Sequence, residues 1–161
     1  MVSLPALGVG VFAALRESLA TIVTYAYSRR DISSRWVDSP FLETAQRQAE
    51  RACIEMAALG RAGLGAAGSE MSKEYIEREG LPLACEPVGW IDRPSGERAD
   101  LTARDAFNKI IHAASFDWGY DDGEDPLLVC YCPESERARH DWIQGSIRIA
   151  DLTQWWAGRS V

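Results

Sequence analysis

The sequence lacks most of the motifs that announce a chemistry. It has no phosphate-binding glycine loop, no nucleophile elbow and no helical His-Glu-x-x-His. The common nucleotide-hydrolase, serine-hydrolase and zinc-protease readings are therefore removed. Histidine is reduced to His112 and His140, and lysine to Lys73 and Lys109, so arginine carries nearly all of the 17 positive charges. Positive charge is itself short, because 24 Asp and Glu leave a net charge of −7 and a pI near 4.9. Sequence-independent grip on a duplex needs a positive surface, so duplex DNA is disfavoured as a partner. An acidic chain suits a basic protein partner instead.

Long apolar runs are also missing. Val2 to Ala14 is apolar, but no basic residue precedes it, and Arg16 and Glu17 interrupt it before the roughly 20 residues of a membrane span. This segment reads as a buried first helix, with no signal peptide and no membrane contact. The four cysteines, Cys53, Cys85, Cys130 and Cys132, do not form the pattern of a secreted disulfide framework. They read as thiols of a cytoplasmic protein.

What is present suits one domain: 161 residues, 47% of them hydrophobic, with six Trp to fill a core. Phe12, Leu15, Leu19, Ile22, Val23 and Ala26 recur at three- and four-residue steps, which predicts a helix over 9–28. Ser39-Pro40 opens a second helix, to about 62. Its seam of Leu42, Ala45, Ala49, Ala52, Met56 and Leu59 is narrow enough to pack antiparallel on the first. A short helix follows over Met71 to Glu79. The proline- and glycine-rich stretch 81–100 reads as a loop, with a short strand near Val88–Ile91.

Leu101 to Ser115 is the fourth helix, capped by Thr102 with Asp105. Leu127–Cys132 and Trp142–Ile149 carry strand character and pair as an antiparallel hairpin. Asp151 caps a terminal helix bearing Leu152, Trp155 and Trp156. The expected fold is α+β: mostly a helical bundle over about 1–116, then a C-terminal antiparallel β-hairpin and a short terminal helix over about 127–157.

On the fourth helix Phe107, Ile110, Ile111 and Ala114 form an apolar stripe. Arg104, Asn108 and His112 fall four residues apart along its flank. A polar row beside a buried stripe marks the edge of a groove, and histidine is the side chain suited to proton transfer near neutral pH. The alternative is structural, with His112 and Asn108 bonded to nearby backbone.

Asn108-Lys-Ile-Ile-His112 resembles the Asn-x-x-x-His part of the HEPN-domain motif. The longer string from Arg104 to Ala113 also resembles a segment of small uncharacterised bacterial proteins. The HEPN resemblance implies a helical bundle, often a homodimer, and in active members a metal-independent ribonuclease of toxin–antitoxin or antiphage defence systems. There an Arg just before the Asn, together with the His, acts on the scissile phosphate. Here Phe107 holds the arginine's place, and Arg104 lies eight residues from His112, about 12 Å along the axis.

The leading expectation is therefore a HEPN-like, non-catalytic accessory protein that binds a protein or RNA partner. The rival is a ribonuclease using His112, Asn108 and Arg104. A third reading is an acidic inhibitor of a nucleic-acid-binding complex. Its partner surface would be Trp118, Tyr120, Asp121, Asp122 and Asp125, where acids and aromatics cluster. No cofactor and no metal are expected. Cys130-Tyr-Cys132 with His140 lacks the paired spacing of a zinc site, and the acidic run lacks the alternation of a calcium loop.

Overall fold

The computed structural model describes residues 9–37, 39–68 and 87–157. Helices α1 (Val9–Arg35) and α2 (Pro40–Gly68) form a long hairpin. Ser39 closes the turn, its hydroxyl accepting from the Phe41 amide at 3.2 Å, as expected of a helix-opening Ser-Pro pair. The Ser18 hydroxyl donates to Glu55 and the Tyr25 hydroxyl to Gln46, so positions on α2 fall as those on α1 rise and the two helices run antiparallel. The alanine seam is the contact: Ala49, Ala52, Cys53, Met56 and Ala57 are buried against Leu15, Leu19, Ile22 and Ala26. Helix α1 does not stop at the polar Arg29-Arg30-Asp31. The helix continues to Arg35, with Arg30 lying over the Tyr120 ring.

The expected bundle with a terminal hairpin does not hold. Strands β1 (Pro87–Asp92), β2 (Arg98–Thr102), β3 (Ser115–Tyr120), β4 (Pro126–Tyr131) and β5 (Gln144–Arg148) form one antiparallel sheet in the order β2-β1-β5-β4-β3. Helix α3 (Ala103–His112) crosses from one edge strand to the other, and α5 (Ile149–Ala157) follows the central strand. The expected pairing of β4 with β5 is present, with Leu128 opposite Ile147 and Cys130 opposite Gly145. Strand β1 stands where a short strand was expected near Val88–Ile91, and two further strands were hidden. Residues 87–100, expected as a loop with that one short strand, and Leu101–Thr102, expected to open the fourth helix, form a β-hairpin turning at Arg93–Glu97. The acidic, aromatic run after residue 115 is the edge strand β3. The expected helix over Met71–Glu79, and Cys85, lie outside the described residues.

One face of the sheet supplies the core. Leu101, Ile91, Ile147, Leu128, Cys130 and Trp118 join residues of α1, α2, α3 and α5 in a single buried cluster. The opposite face carries Trp90, Arg98, Asp100, Gln144, Arg148, Tyr131 and Asp117, which are exposed or half-exposed and lie outside that cluster. Alternation across a half-covered antiparallel sheet produces this split.

Phe107 explains itself in this frame. Its ring lies in a slot on α2 where a Cβ at Gly60 would stand 2.7 Å from the ring, and it meets Trp155 edge to face at 5.6 Å. The residue at this position is a core anchor.

A histidine pair and an aromatic groove as candidate functional sites

Thr102 starts α3 by accepting from the Asp105 amide at 3.2 Å, while its hydroxyl donates to the Asp105 carboxylate at 2.9 Å. Strand β2 runs directly into this cap, so the helix begins at Ala103 and fixes the rotation of everything after it. Ala103, Ala106, Phe107 and Ile110 face inward. Arg104 and His112 are exposed and Asn108 half-exposed, along the flank that the spacing indicated. The three do not converge, since no bond joins Arg104 or Asn108 to His112 and their separation follows the helix rise.

A different residue meets His112. The segment between β4 and β5 contains a 3-10 turn (Glu134–Glu136) and a short helix α4 (Arg137–His140), and it brings His140 back beside the end of α3. The two imidazoles stack with centroids 5.8 Å apart and planes 24° from parallel. These are the only two histidines in the chain. His140 Nε2 is 3.1 Å from a Glu136 carboxylate oxygen, which fixes one edge of that ring. Among the described residues, the stack with His140 is the contact His112 makes, and it forms no hydrogen bond to backbone.

Cations gather at the same end of the sheet, where β1 and β4 finish and β3 and β5 begin. Lys109 lies one helical turn before His112, with its ammonium 4.8 Å from the Trp142 ring. Burial lowers the Lys109 pKa, which nearby Asp105 partly restores and Arg93 lowers further. Arg93 pairs with Asp141, the residue after His140. Arg137 stands one turn before His140, 3.7 Å from Glu134. The arrangement thus offers two proton-transfer groups and a positive neighbour on each element. No group of three His, Cys, Asp or Glu among the described residues is placed as a metal site. Cys130 and Cys132 are buried, with burial pushing both thiols up.

No family model, curated protein or solved structure matches the chain. Its own geometry therefore carries the functional reading. Among the described residues, no helix is long and apolar enough to cross a membrane.

The expected partner surface around the β3–β4 loop is only partly a surface. Trp118 is 4% exposed and packs edge to face on Tyr25 at 5.0 Å, so it is a core residue and not a contact anchor. Asp121 is turned inward, accepting from the Gly123 and Asp125 amides at 2.9 Å and lying 3.4 Å from Arg148. The Tyr120 ring lies under the Arg30 guanidinium at 4.1 Å, and Arg30 also pairs with Glu124. Only Asp122 and Asp125 are exposed acids in the expected sense.

Sequence reasoning missed two features. One is His140, whose approach to His112 depends on a turn with no sequence signature. The other is a groove of about 540 Å³ at the opposite end of the sheet, lined by Trp90, Arg98, Asp100, Tyr120, Asp122 and Arg148 among others.

Proposed function

We propose that the protein is a metal-independent ribonuclease whose acid and base are His112 and His140. The observation that supports this reading is the stack of the chain's two histidines, His112 exposed and His140 half-exposed and held by Glu136. RNA is the substrate that such a pair suits, because it carries its own nucleophile and needs only proton transfer and charge stabilisation. One imidazole takes the proton of the ribose 2′-hydroxyl as its oxygen attacks phosphorus. The P–O5′ bond breaks, and the other imidazole, protonated, gives its proton to the leaving 5′-oxygen. The products are a 2′,3′-cyclic phosphate and a 5′-hydroxyl, and proton exchange with water resets the pair. Lys109, which has no ion-pair partner among the described residues, supplies positive charge that the Phe107 position does not, while Arg93 and Arg137 are engaged by Asp141 and Glu134. The test is incubation of single-stranded RNA with the purified protein in EDTA. Cleavage leaving cyclic phosphate ends, lost in both His112→Ala and His140→Ala, is the expected result. Intact RNA at high protein concentration, or cleavage that both substitutions leave unchanged, would refute it.

A second reading is the accessory protein that binds a protein partner. It is favoured by the far end of the α1–α2 hairpin, where Trp36, Val37 and Phe41 are 52%, 71% and 65% exposed. Contiguous exposed apolar side chains of this size mark interaction sites. In this reading Trp36→Ser with Phe41→Ser abolishes self-association or partner capture in sedimentation and leaves RNA untouched. Identical sedimentation of that variant and the parent, alone and with cell extract, would remove it.

A further inference from the structure

The two imidazoles of the pair are held differently. His140 is fixed from two directions. On its own segment, Nε2 lies 3.1 Å from a carboxylate oxygen of Glu136, four residues back. From the sheet, Arg93 of the β1–β2 turn pairs with Asp141, the residue after His140, and the Ile143 amide donates to the Asp92 carbonyl at 2.8 Å. Asp141 is left-handed, with φ at 53°, a conformation that few residues besides Gly, Asn and Asp adopt readily. Helix α4 is thus stopped directly after His140, and its end is tied to β1. His112 has no such support. It ends α3, is exposed and stacks on His140. Among the described residues, no group hydrogen-bonds either of its nitrogens. A stack covers ring faces and leaves the edges open, so neither ring hides the nitrogens of the other.

This difference decides between tautomers. A neutral imidazole carries its proton on one nitrogen, and a general base needs its lone pair on the nitrogen that faces the substrate. A carboxylate on the other nitrogen enforces that choice, as in triads where an aspartate holds the histidine base in tautomer and orientation. The His140 Nε2–H donates to Glu136, which leaves the lone pair on Nδ1. An imidazolium carries an N–H on both nitrogens, so a general acid has no tautomer to select. Of the two rings, only His140 has a tautomer-selecting partner among the described residues.

We infer that His140 is the base, acting through Nδ1, that His112 is the acid, and that Glu136 is the residue positioning the base. The assignment rests on the ribonuclease reading of the pair. His140 Nδ1 takes the proton of the ribose 2′-hydroxyl, whose oxygen forms the new bond to phosphorus. As the P–O5′ bond breaks, a ring N–H of His112 passes its proton to the 5′-oxygen. Glu136 stays ionised throughout and neither gives nor takes a proton.

The test separates the two roles by leaving group. In a ribonucleoside 3′-(4-nitrophenyl phosphate) the 2′-hydroxyl still needs a base, but 4-nitrophenolate departs without a proton. Single-stranded RNA needs both base and acid. The full chain and its variants are assayed on both substrates in EDTA, with unfolding midpoints confirming that each variant is folded. His140→Ala is expected to lose at least about 100-fold on both substrates. His112→Ala is expected to lose as much on RNA and to stay within about threefold of the parent on the ester. Glu136→Ala should lower kcat about tenfold on both substrates with KM unchanged, and Glu136→Gln, which keeps an acceptor for Nε2–H, should recover most of that loss. Added to His140→Ala, Glu136→Ala should have no further effect, because it acts through that ring. A parent protein that cleaves neither substrate would refute the ribonuclease reading and the assignment with it. RNA cleavage that needs both histidines, with the ester lost in His112→Ala and kept in His140→Ala, would overturn the assignment alone. So would equal loss of the ester in both, a parent that cleaves RNA and leaves the ester intact, or Glu136→Ala at the parent's rate. A further loss in the double variant would make Glu136 a structural residue and overturn its role.

Discussion

The two flanks of α3 differ by one residue step and have opposite fates. Phe107 is wedged into the Gly60 slot of α2 and against Trp155. Asn108 beside it is half-exposed, and four residues later His112 is fully on the surface. In the resembled motif the position of Phe107 carries a catalytic arginine, which would require that flank to face substrate. The comparison teaches that a short motif transfers only as far as the rotation of its helix does. That rotation is set here by the Thr102 cap and by what α2 offers, and it delivers the Asn and the His to the surface while turning the arginine position into the core.

The largest expected effect tests this assignment of flanks directly. Phe107→Arg would restore the motif and is expected to unfold the protein. It removes a buried aromatic and places a charge without a partner among Leu15, Leu19, Met56 and Leu152. Together these cost more than about 4 kcal/mol. A urea midpoint within error of the parent would show that position 107 faces solvent and that the two flanks have been exchanged. His112→Ala, on the other flank, is expected to do the reverse. Its stability should change by less than about 0.5 kcal/mol, as for exposed sites without special contacts. RNA cleavage should fall by about 10² to 10⁴, the usual worth of a general acid or base. A large stability loss in this variant would make His112 a structural residue.

A third prediction concerns the buried side to which Phe107 belongs. Cys53 of α2 and Cys130 of β4 lie in the same core, and burial raises both thiols. In the unfolded chain a thiol releases its proton near pH 8.5, whereas in the folded state these two hold theirs to higher pH. Above that point the folded state binds more protons, so stability falls as pH rises, by about 1.4 kcal/mol per pH unit for each thiol. Tyr25, also raised by burial, adds the same sign near pH 10. Lys109 has the opposite sign, because its folded pKa is lowered and the unfolded chain holds the extra proton. In reductant, Cys53→Ala should make the decline between pH 8 and pH 10 shallower by one thiol's share. An unchanged slope would place Cys53 in contact with solvent.

The helical half of the molecule was legible in the sequence and most of the sheet was not, for a physical reason. The α1 and α2 stripes repeat over about four and five turns, so the apolar period stands out above any local interruption. It even underestimates the helix, which runs through Arg29-Arg30-Asp31 to Arg35. Strands β1 and β2 are six and five residues long and carry Trp, Asp and Arg on the open face. Their alternation is short, and the prolines and glycines around them read as loop. Strand β3 was obscured because Asp117 and Gly119 alternate with buried Trp118 on an edge, where polar residues are tolerated. Of the candidate site, His112 and its flank were readable from spacing. The meeting with His140 was not, because it depends on a 3-10 turn and a four-residue helix whose sequence is merely charged.

The smallest effect bears on what sets the rotation that separates the flanks. The Thr102 hydroxyl both accepts from the Asp105 amide and donates to the Asp105 carboxylate, so it is the last fixed point before the helix turns Phe107 inward. Thr102→Ala should cost about 1 kcal/mol, the usual value of a lost N-cap, and Thr102→Ser should cost less because it keeps the oxygen. The informative measurement is the RNA cleavage of these two variants at a temperature where both are fully folded. The remaining clamps on α3, the Phe107–Gly60 wedge and the Lys109–Trp142 contact, hold the helix from both sides, and so cleavage should stay within about twofold of the parent. Cleavage falling together with the cap would mean that the N-terminal turn, and not the core wedge, positions His112 against His140.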